Sequence, residues 1–264
     1  MVLGLSSYLY GISVGAGVGG GVGAGGSPAG GFSSTPPPTL VRWCGRRRSL
    51  ALAGPAPAIR LWDAAAELLQ RDIPTQCDAG VTSLWRGAGS YNSVGGGAGG
   101  AGGDGDDGGW QLTAGFGDGS VRAWDERAPS TAPLYCLHHH AAPVLTAAAR
   151  PHERRLLTAA ADGSVHVYDV RALPAKCASV RAPGPLAAAD VHPRANLMAC
   201  GSINQCISMF DLAGTHLNTI KFHEGFMGAR IGPVSCLTFH PLRVAMGVGS
   251  KDSSVCVYVS EARR

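Results

Sequence analysis

Apolar and polar residues alternate in five short runs that recur along the chain. They are Ala-Ile-Arg-Leu-Trp-Asp (58–63), Gly-Ser-Val-Arg-Ala-Trp-Asp (119–125), Gly-Ser-Val-His-Val-Tyr-Asp (163–169), Gln-Cys-Ile-Ser-Met-Phe-Asp (205–211) and Ser-Ser-Val-Cys-Val-Tyr-Val (253–259). A period of two predicts a strand with one buried face, closing here on an aromatic side chain. Asp125 to Asp169 is 44 residues, Asp169 to Asp211 is 42, and Asp211 to Val259 is 48. Asp63 to Asp125 is 62, which falls to 39 once the 23-residue glycine-rich stretch 87–109 is removed. Periods of about 40–45 residues are those of four-stranded propeller blades.

The residues between the runs support the same architecture. Tight-turn pairs precede the last four runs: Asp118-Gly119, Asp162-Gly163, Asn204-Gln205 and Asp252-Ser253. The Asp-Gly pairs predict two-residue hairpin turns with positive φ at both central positions. Small-residue strands are expected just upstream, at 111–115, 156–160, 197–201 and 244–249. A further strand ends before each proline turn, at Arg150-Pro151, His192-Pro193 and His240-Pro241. No long apolar stripe of period 3.6 occurs outside a short stretch near 64–69, so the expected class is all-β.

These residues resemble the WD40 repeat family. Trp62-Asp63 and Trp124-Asp125 match its signature dipeptide, with Tyr168-Asp169 and Phe210-Asp211 as degraded forms and Tyr258 in the last copy. Asp118, Asp162 and Asp252 take the turn positions of the repeat. Its histidine survives at His140, four residues before Val144, while Cys77, Ala182 and Arg230 occupy the matching places. The resemblance implies a WD40-type β-propeller with at most a partial His–Asp–Ser–Trp network. Counting from residue 40, about four and a half blades are expected. The chain reads as the C-terminal portion of something larger, a partial propeller over 41–264 with a disordered insertion at 87–109.

Composition narrows the function classes. Lys and Arg number 22 against 18 Asp and Glu, a net charge of +4, with 6% aromatic residues. That balance points neither to a nucleic-acid surface nor to a stacking platform for single strands. Residues 1–40 are rich in glycine and proline, and the first charged residue is Arg42. They read as disordered low complexity: too glycine-rich for a membrane span and lacking the basic start of a signal peptide. Gly17–Gly21 follows no strand and opens no helix, so it is no dinucleotide loop. Asp104, Asp106 and Asp107 fail the calcium-loop spacing, because Gly115 stands where a bidentate Glu belongs. Eight scattered cysteines without a C-x-x-C fit free thiols, Cys200 and Cys206 among them. His138-His139-His140 has no adjoining Cys, Asp or Glu and reads as an inter-strand loop; His192 and His240 read as turn caps. No residue sits in a setting that would activate a nucleophile or an acid–base pair. No enzyme, metal, cofactor, small-molecule ligand or membrane insertion is therefore expected.

Three stretches are more specific. They are 68–76 with 81–84, 199–205, and 218–221 continuing through 225–232 to 235–241. Together they resemble the C-terminal propeller of the Raptor family, the regulatory-associated scaffolds of the TOR kinase complex, over about residues 58–262. The resemblance implies a non-catalytic adaptor that binds the TOR kinase and TOR complex 1 subunits in the cytoplasm and at lysosomal or vacuolar surfaces. It also implies a part in nutrient-dependent signalling and growth control. A general WD40 module of a ubiquitin-ligase or trafficking assembly is the alternative. The loop 222–232 is the candidate contact surface, through Phe226, Met227 and Arg230, because aromatic residues, Met and Arg are enriched at interfaces.

Overall fold

The computed structural model describes residues 39–44, 48–86, 111–126, 128, 131–150, 153–222 and 230–260. Within them lie nineteen β-strands and one turn of 3-10 helix, Val170–Ala172, in five antiparallel sheets. The first sheet runs β1 (Leu40–Cys44), β2 (Ser49–Ala53), β3 (Ala58–Asp63) and β4 (Leu68–Pro74). The second comprises β5 (Val81–Arg86), β6 (Gln111–Phe116), β7 (Ser120–Asp125) and β8 (Tyr135–His138). The third holds β9 (Val144–Arg150), β10 (Arg155–Ala160), β11 (Ser164–Asp169) and β12 (Lys176–Arg181). The fourth contains β13 (Leu186–Val191), β14 (Met198–Ser202), β15 (Cys206–Phe210) and β16 (His216–Ile220). The last has β17 (Val234–Phe239), β18 (Ala245–Ser250) and β19 (Val255–Val259). Strands pair in sequence order, so each sheet is a meander, and the alternating runs of the sequence are the third strand of every sheet.

The chain divides into two compact units. One extends to Val81 and carries the first sheet; the other begins at Thr82 and carries the rest. In the first unit the alternation of β3 buries Ile59 and Leu61 while Arg60 faces water. In the second unit the sheets face one another across three apolar layers. Val121, Leu137, Val144, Ala147, Leu156 and Tyr168 form one. Leu157, Val165, Val167, Leu186, Met198 and Phe210 form the next. Ala199, Ile207, Val234, Phe239, Met246 and Val248 form the third. Each layer draws on two sheets, so a strand buried on both faces loses its strict alternation, as in β14, where all five residues are buried, with Met198 in one layer and Ala199 in the next.

Small residues on the second strands permit this spacing. A Cβ on Gly201 would collide with the Val234 side chain of the following sheet, and one on Gly115 would meet Val144 at 2.5 Å. Polar clasps also bridge the sheets. Thr82 Oγ1 donates to Val144 O at 2.7 Å, and Asp190 Oδ2 accepts from Phe239 N at 2.8 Å. Residues 1–38 and 87–110, which include the low-complexity start and the glycine insertion, lie outside the described residues.

Candidate functional site: hairpin turns, a buried histidine relay and the Arg230 edge

The turns between second and third strands carry the predicted aspartates, with a geometry that corrects the expected one. Gly119 and Gly163 have φ of +83° and +90°, whereas neither Asp118 nor Asp162 is among the residues of positive φ. Gly119 N donates to Phe116 O and Gly163 N to Ala160 O, three residues back. These are type I turns closed by one left-handed residue, a three-residue connection, in place of the two-residue turn. The aspartate is released to act through its side chain. Asp118, Asp162 and Asp252 each accept on Oδ1 from the backbone N–H and the hydroxyl of the serine two residues on, at 2.6–3.0 Å. Gln205 and Ser253 hold the left-handed position in the other two hairpins, with φ of +60° and +66°.

At the far end of the third strands, the signature aspartates cap the turn that follows. Asp63 Oδ1 accepts from Ala65 N and Ala66 N, bonds that hold its carboxyl below the usual range. Asp169 accepts from Arg171 N, and Asp211 from Ala213 N and Thr215 N. Asp125 ends β7 in the same place. The aromatic markers beside them differ in depth. Trp124, Tyr168 and Phe210 are buried, while Trp62 and Tyr258 are half-buried.

His140 is the centre of a continuous polar relay in the third sheet. Its Nδ1 lies 2.7 Å from Ser164 Oγ, which donates to Asp162, and its Nε2 lies 2.7 Å from Thr158 Oγ1. Thr158 is in turn a hydrogen-bond partner of the Tyr168 hydroxyl. One assignment satisfies every donor: Nδ1–H donates to Ser164, and Nε2 accepts from Thr158. Burial, reinforced by the His166 ring stacked at 4.3 Å, pushes His140 down to about 3, so the imidazole is neutral. Burial opposes ionisation of Asp162, but the Ser164 hydroxyl and amide hold its carboxyl below the ordinary range. Tyr168 thus stands in this relay where the resemblance implies a tryptophan. Trp62 Nε1 and Trp124 Nε1 meet no hydrogen-bond partner among the described residues.

His138 and His139 have local partners. His139 Nδ1 lies 3.1 Å from the Tyr168 hydroxyl, and His138 Nε2 lies 3.0 Å from Cys136 Sγ. No group of three or more His, Cys, Asp or Glu side chains able to hold a metal occurs among the described residues. Cys200 and Cys206 are buried free thiols, each opposite a serine in register, and burial raises the Cys200 thiol to about 12. His192 and His240 cap the turns after their prolines through Nδ1, which accepts two backbone N–H groups in each case.

Arg230 sits at the edge formed by the fourth sheet's hairpin and the entry to the last sheet. A bridge pairs it with Phe222, and its Nη2 donates to Asn204 O at 3.4 Å. Arg230 is exposed, flanked by Phe222 at 59% and Ile203 at 40% exposure. Phe226 and Met227 lie outside the described residues. The predicted loop 222–232 begins at Phe222, but sequence reasoning missed Ile203. The available signal was an apolar residue placed inside a turn, as Ile203 is, where no core position calls for one.

The meandering sheets, the aspartate-capped turns and the histidine relay define a WD40-type β-propeller chain. A family model described as "WD domain, G-beta repeat" matches residues 131–169, the stretch that holds His140 and Asp162. Over most of its length the chain belongs with the Raptor family. "Regulatory-associated protein of TOR 1" from Arabidopsis thaliana is 33% identical over 239 residues, covering 84% of this chain and 16% of that protein. "Target of rapamycin complex 1 subunit mip1" from Schizosaccharomyces pombe is 27% identical, over 83% of this chain and 16% of its own length. In fold, the solved structure of Chaetomium thermophilum Raptor superposes with a TM-score of 0.68, at 24% identity, over 85% of this chain and 20% of that one. The chain therefore spans about a sixth of the length of the curated relatives it matches.

Proposed function

We propose that this chain is a non-catalytic scaffold module of TOR complex 1 that contributes to binding the TOR kinase assembly. The supporting observation is the match to Raptor relatives along more than four-fifths of the chain. On this reading the chain acts by presenting rigid turns to partner proteins, as aspartate-capped hairpins and buried relays suit. Its contact surface is the Arg230 edge, where Phe222 and Ile203 add apolar area beside a guanidinium; Phe226 and Met227, between Phe222 and Arg230 in the sequence, are proposed to add to it. Such a mixture of aromatic, aliphatic and arginine side chains is what interface hot spots use. Its place is the cytoplasm and lysosomal or vacuolar surfaces, and its role is in nutrient-dependent growth control. Among the described residues no helix is long and apolar enough to cross a membrane.

The test is co-precipitation of the tagged chain with the TOR kinase from cells of the source organism, comparing wild type with Arg230→Glu. Recovery of the kinase with the wild type, reduced about tenfold or more by the substitution, is expected. Recovery only of ubiquitin-ligase or trafficking components would overturn the reading.

A further inference from the structure

The turns joining first and second strands lie at the end of the sheets opposite Arg230, and three consecutive sheets repeat one arrangement there. Arg154 follows Arg150 and precedes β10; Arg194 follows His192-Pro193; Arg243 follows His240-Pro241-Leu242. All three arginines are exposed. Their backbones are pinned. His192 Nδ1 accepts from Arg194 N and Ala195 N at 3.0 and 2.7 Å, and His240 Nδ1 accepts from Leu242 N and Arg243 N at 3.1 and 3.0 Å. The turns are also tied sheet to sheet. The buried Arg150 donates from Nη1 to Ala195 O at 3.3 Å, and His192 donates from Nε2 to Arg243 O at 3.0 Å. Arg171 joins the same end, because the neighbouring Val170 N donates to Arg154 O.

The carboxylates at this end have N–H donors of their own. Glu153 binds Arg150 at 2.7 Å, and Asp169 and Asp211 accept from the backbone of the turns they cap. Arg154, Arg171, Arg194 and Arg243 form no ion pair among the described residues. Leu242 stands beside Arg243 with 64% of its surface exposed.

We infer that this end of the second unit is a docking surface for an acidic peptide segment of a partner protein, gripped by Arg154, Arg194 and Arg243 with an apolar contact on Leu242. Guanidinium groups held on fixed backbones favour carboxylates, because the planar fork makes paired hydrogen bonds and loses little freedom on doing so. The spacing favours a peptide over a nucleic acid. The arginines come about one per sheet, with Asp169 beside the Arg154 turn and Asp211 beside the Arg194 turn, whereas a duplex carries a charge about every 1.7 Å and would meet those carboxylates. A peptide sets its acidic side chains apart and spares the positions facing Asp169 and Asp211. This surface is separate from the Arg230 edge and is tested with purified protein, independently of any TOR assembly.

The test is fluorescence anisotropy of the full chain with a fluorescein-labelled Glu- and Leu-containing peptide, against the same peptide with Gln for Glu. Saturable binding of the acidic form only is expected, weakened about tenfold or more by the combined substitution Arg154→Glu, Arg194→Glu and Arg243→Glu. An equal charge change at the opposite end, Arg181→Glu with Lys221→Glu and Lys251→Glu, leaves it within about twofold. Equal weakening by the two variants overturns the proposal, as does failure of the acidic peptide to saturate. So does arginine-dependent binding of duplex DNA or phosphatidylserine vesicles in place of the peptide. If the Glu variant loses its β-sheet circular dichroism, the Arg→Gln triple reads the same surface.

Discussion

His140 shows how far a single side chain can be committed by its neighbours. An imidazole in the unfolded chain titrates near ~6.5, whereas burial holds the folded His140 at about 3. Above the unfolded value both states are neutral and the relay contributes fully. As pH falls from there toward the folded value, only the unfolded chain takes up the proton, and stability is lost. The groups facing the ring are His166, Asp162, Lys176 and His139, of which only the carboxylate opposes the shift. The urea midpoint is therefore expected to fall between about pH 7 and pH 5, and to fall less steeply in His140→Gln. Parallel curves for the two proteins would assign the titration to His166, which burial and Lys176 also depress. Thr158→Val strands His140 Nε2 in a buried site and leaves the Tyr168 hydroxyl with His139 Nδ1 as its remaining partner, and should lower stability by about 1–3 kcal/mol in equilibrium unfolding. The histidine was legible in the sequence from its offset to Val144. Its partner Thr158 was not, because Thr158 is an ordinary strand residue until the fold brings it 2.7 Å from the ring.

For the element, the hairpin is the informative unit. The Asp-Gly pairs marked the correct turns, yet the turn type was misread. The same letters serve a two-residue turn and a type I turn closed by a left-handed glycine, and the choice depends on which residue before them still pairs. Here β6 ends at Phe116 and β10 at Ala160, leaving three residues to each connection. The left-handed slot explains a graded set of effects. Gln205→Gly and Ser253→Gly relieve a strained φ, offset partly by the entropy of glycine, and each should raise stability by up to about 1 kcal/mol in thermal denaturation. Gly163→Ala should cost about 1–3 kcal/mol, because its φ of +90° is strained for alanine and the new Cβ would stand 2.7 Å from Gly184 O. A neutral result at Gly163 would mean that the turn adapts.

Across the molecule, four sheets have a fourth strand beyond the signature strand, and the last has none among the described residues. The effect on burial is direct: β11 and β15 are largely buried, whereas Val255, Val257 and Val259 of β19 are 79%, 70% and 62% exposed. An apolar strand with a free edge invites association with other chains. Val257→Lys is expected to reduce concentration-dependent light scattering without lowering the melting temperature; unchanged scattering would locate the association elsewhere. By itself the sequence determined the class of fold and the number of signature strands, and it placed their bounds to within two residues. Strand periodicity and turn chemistry are local, and they repeat. Only the tertiary structure decided which polar groups meet across sheets, as with Asp190 and Phe239 or Arg150 and Ala195, and that arginines from three separate turns share one end. Those pairings join residues some tens of positions apart, and no local pattern encodes a distance that packing alone sets.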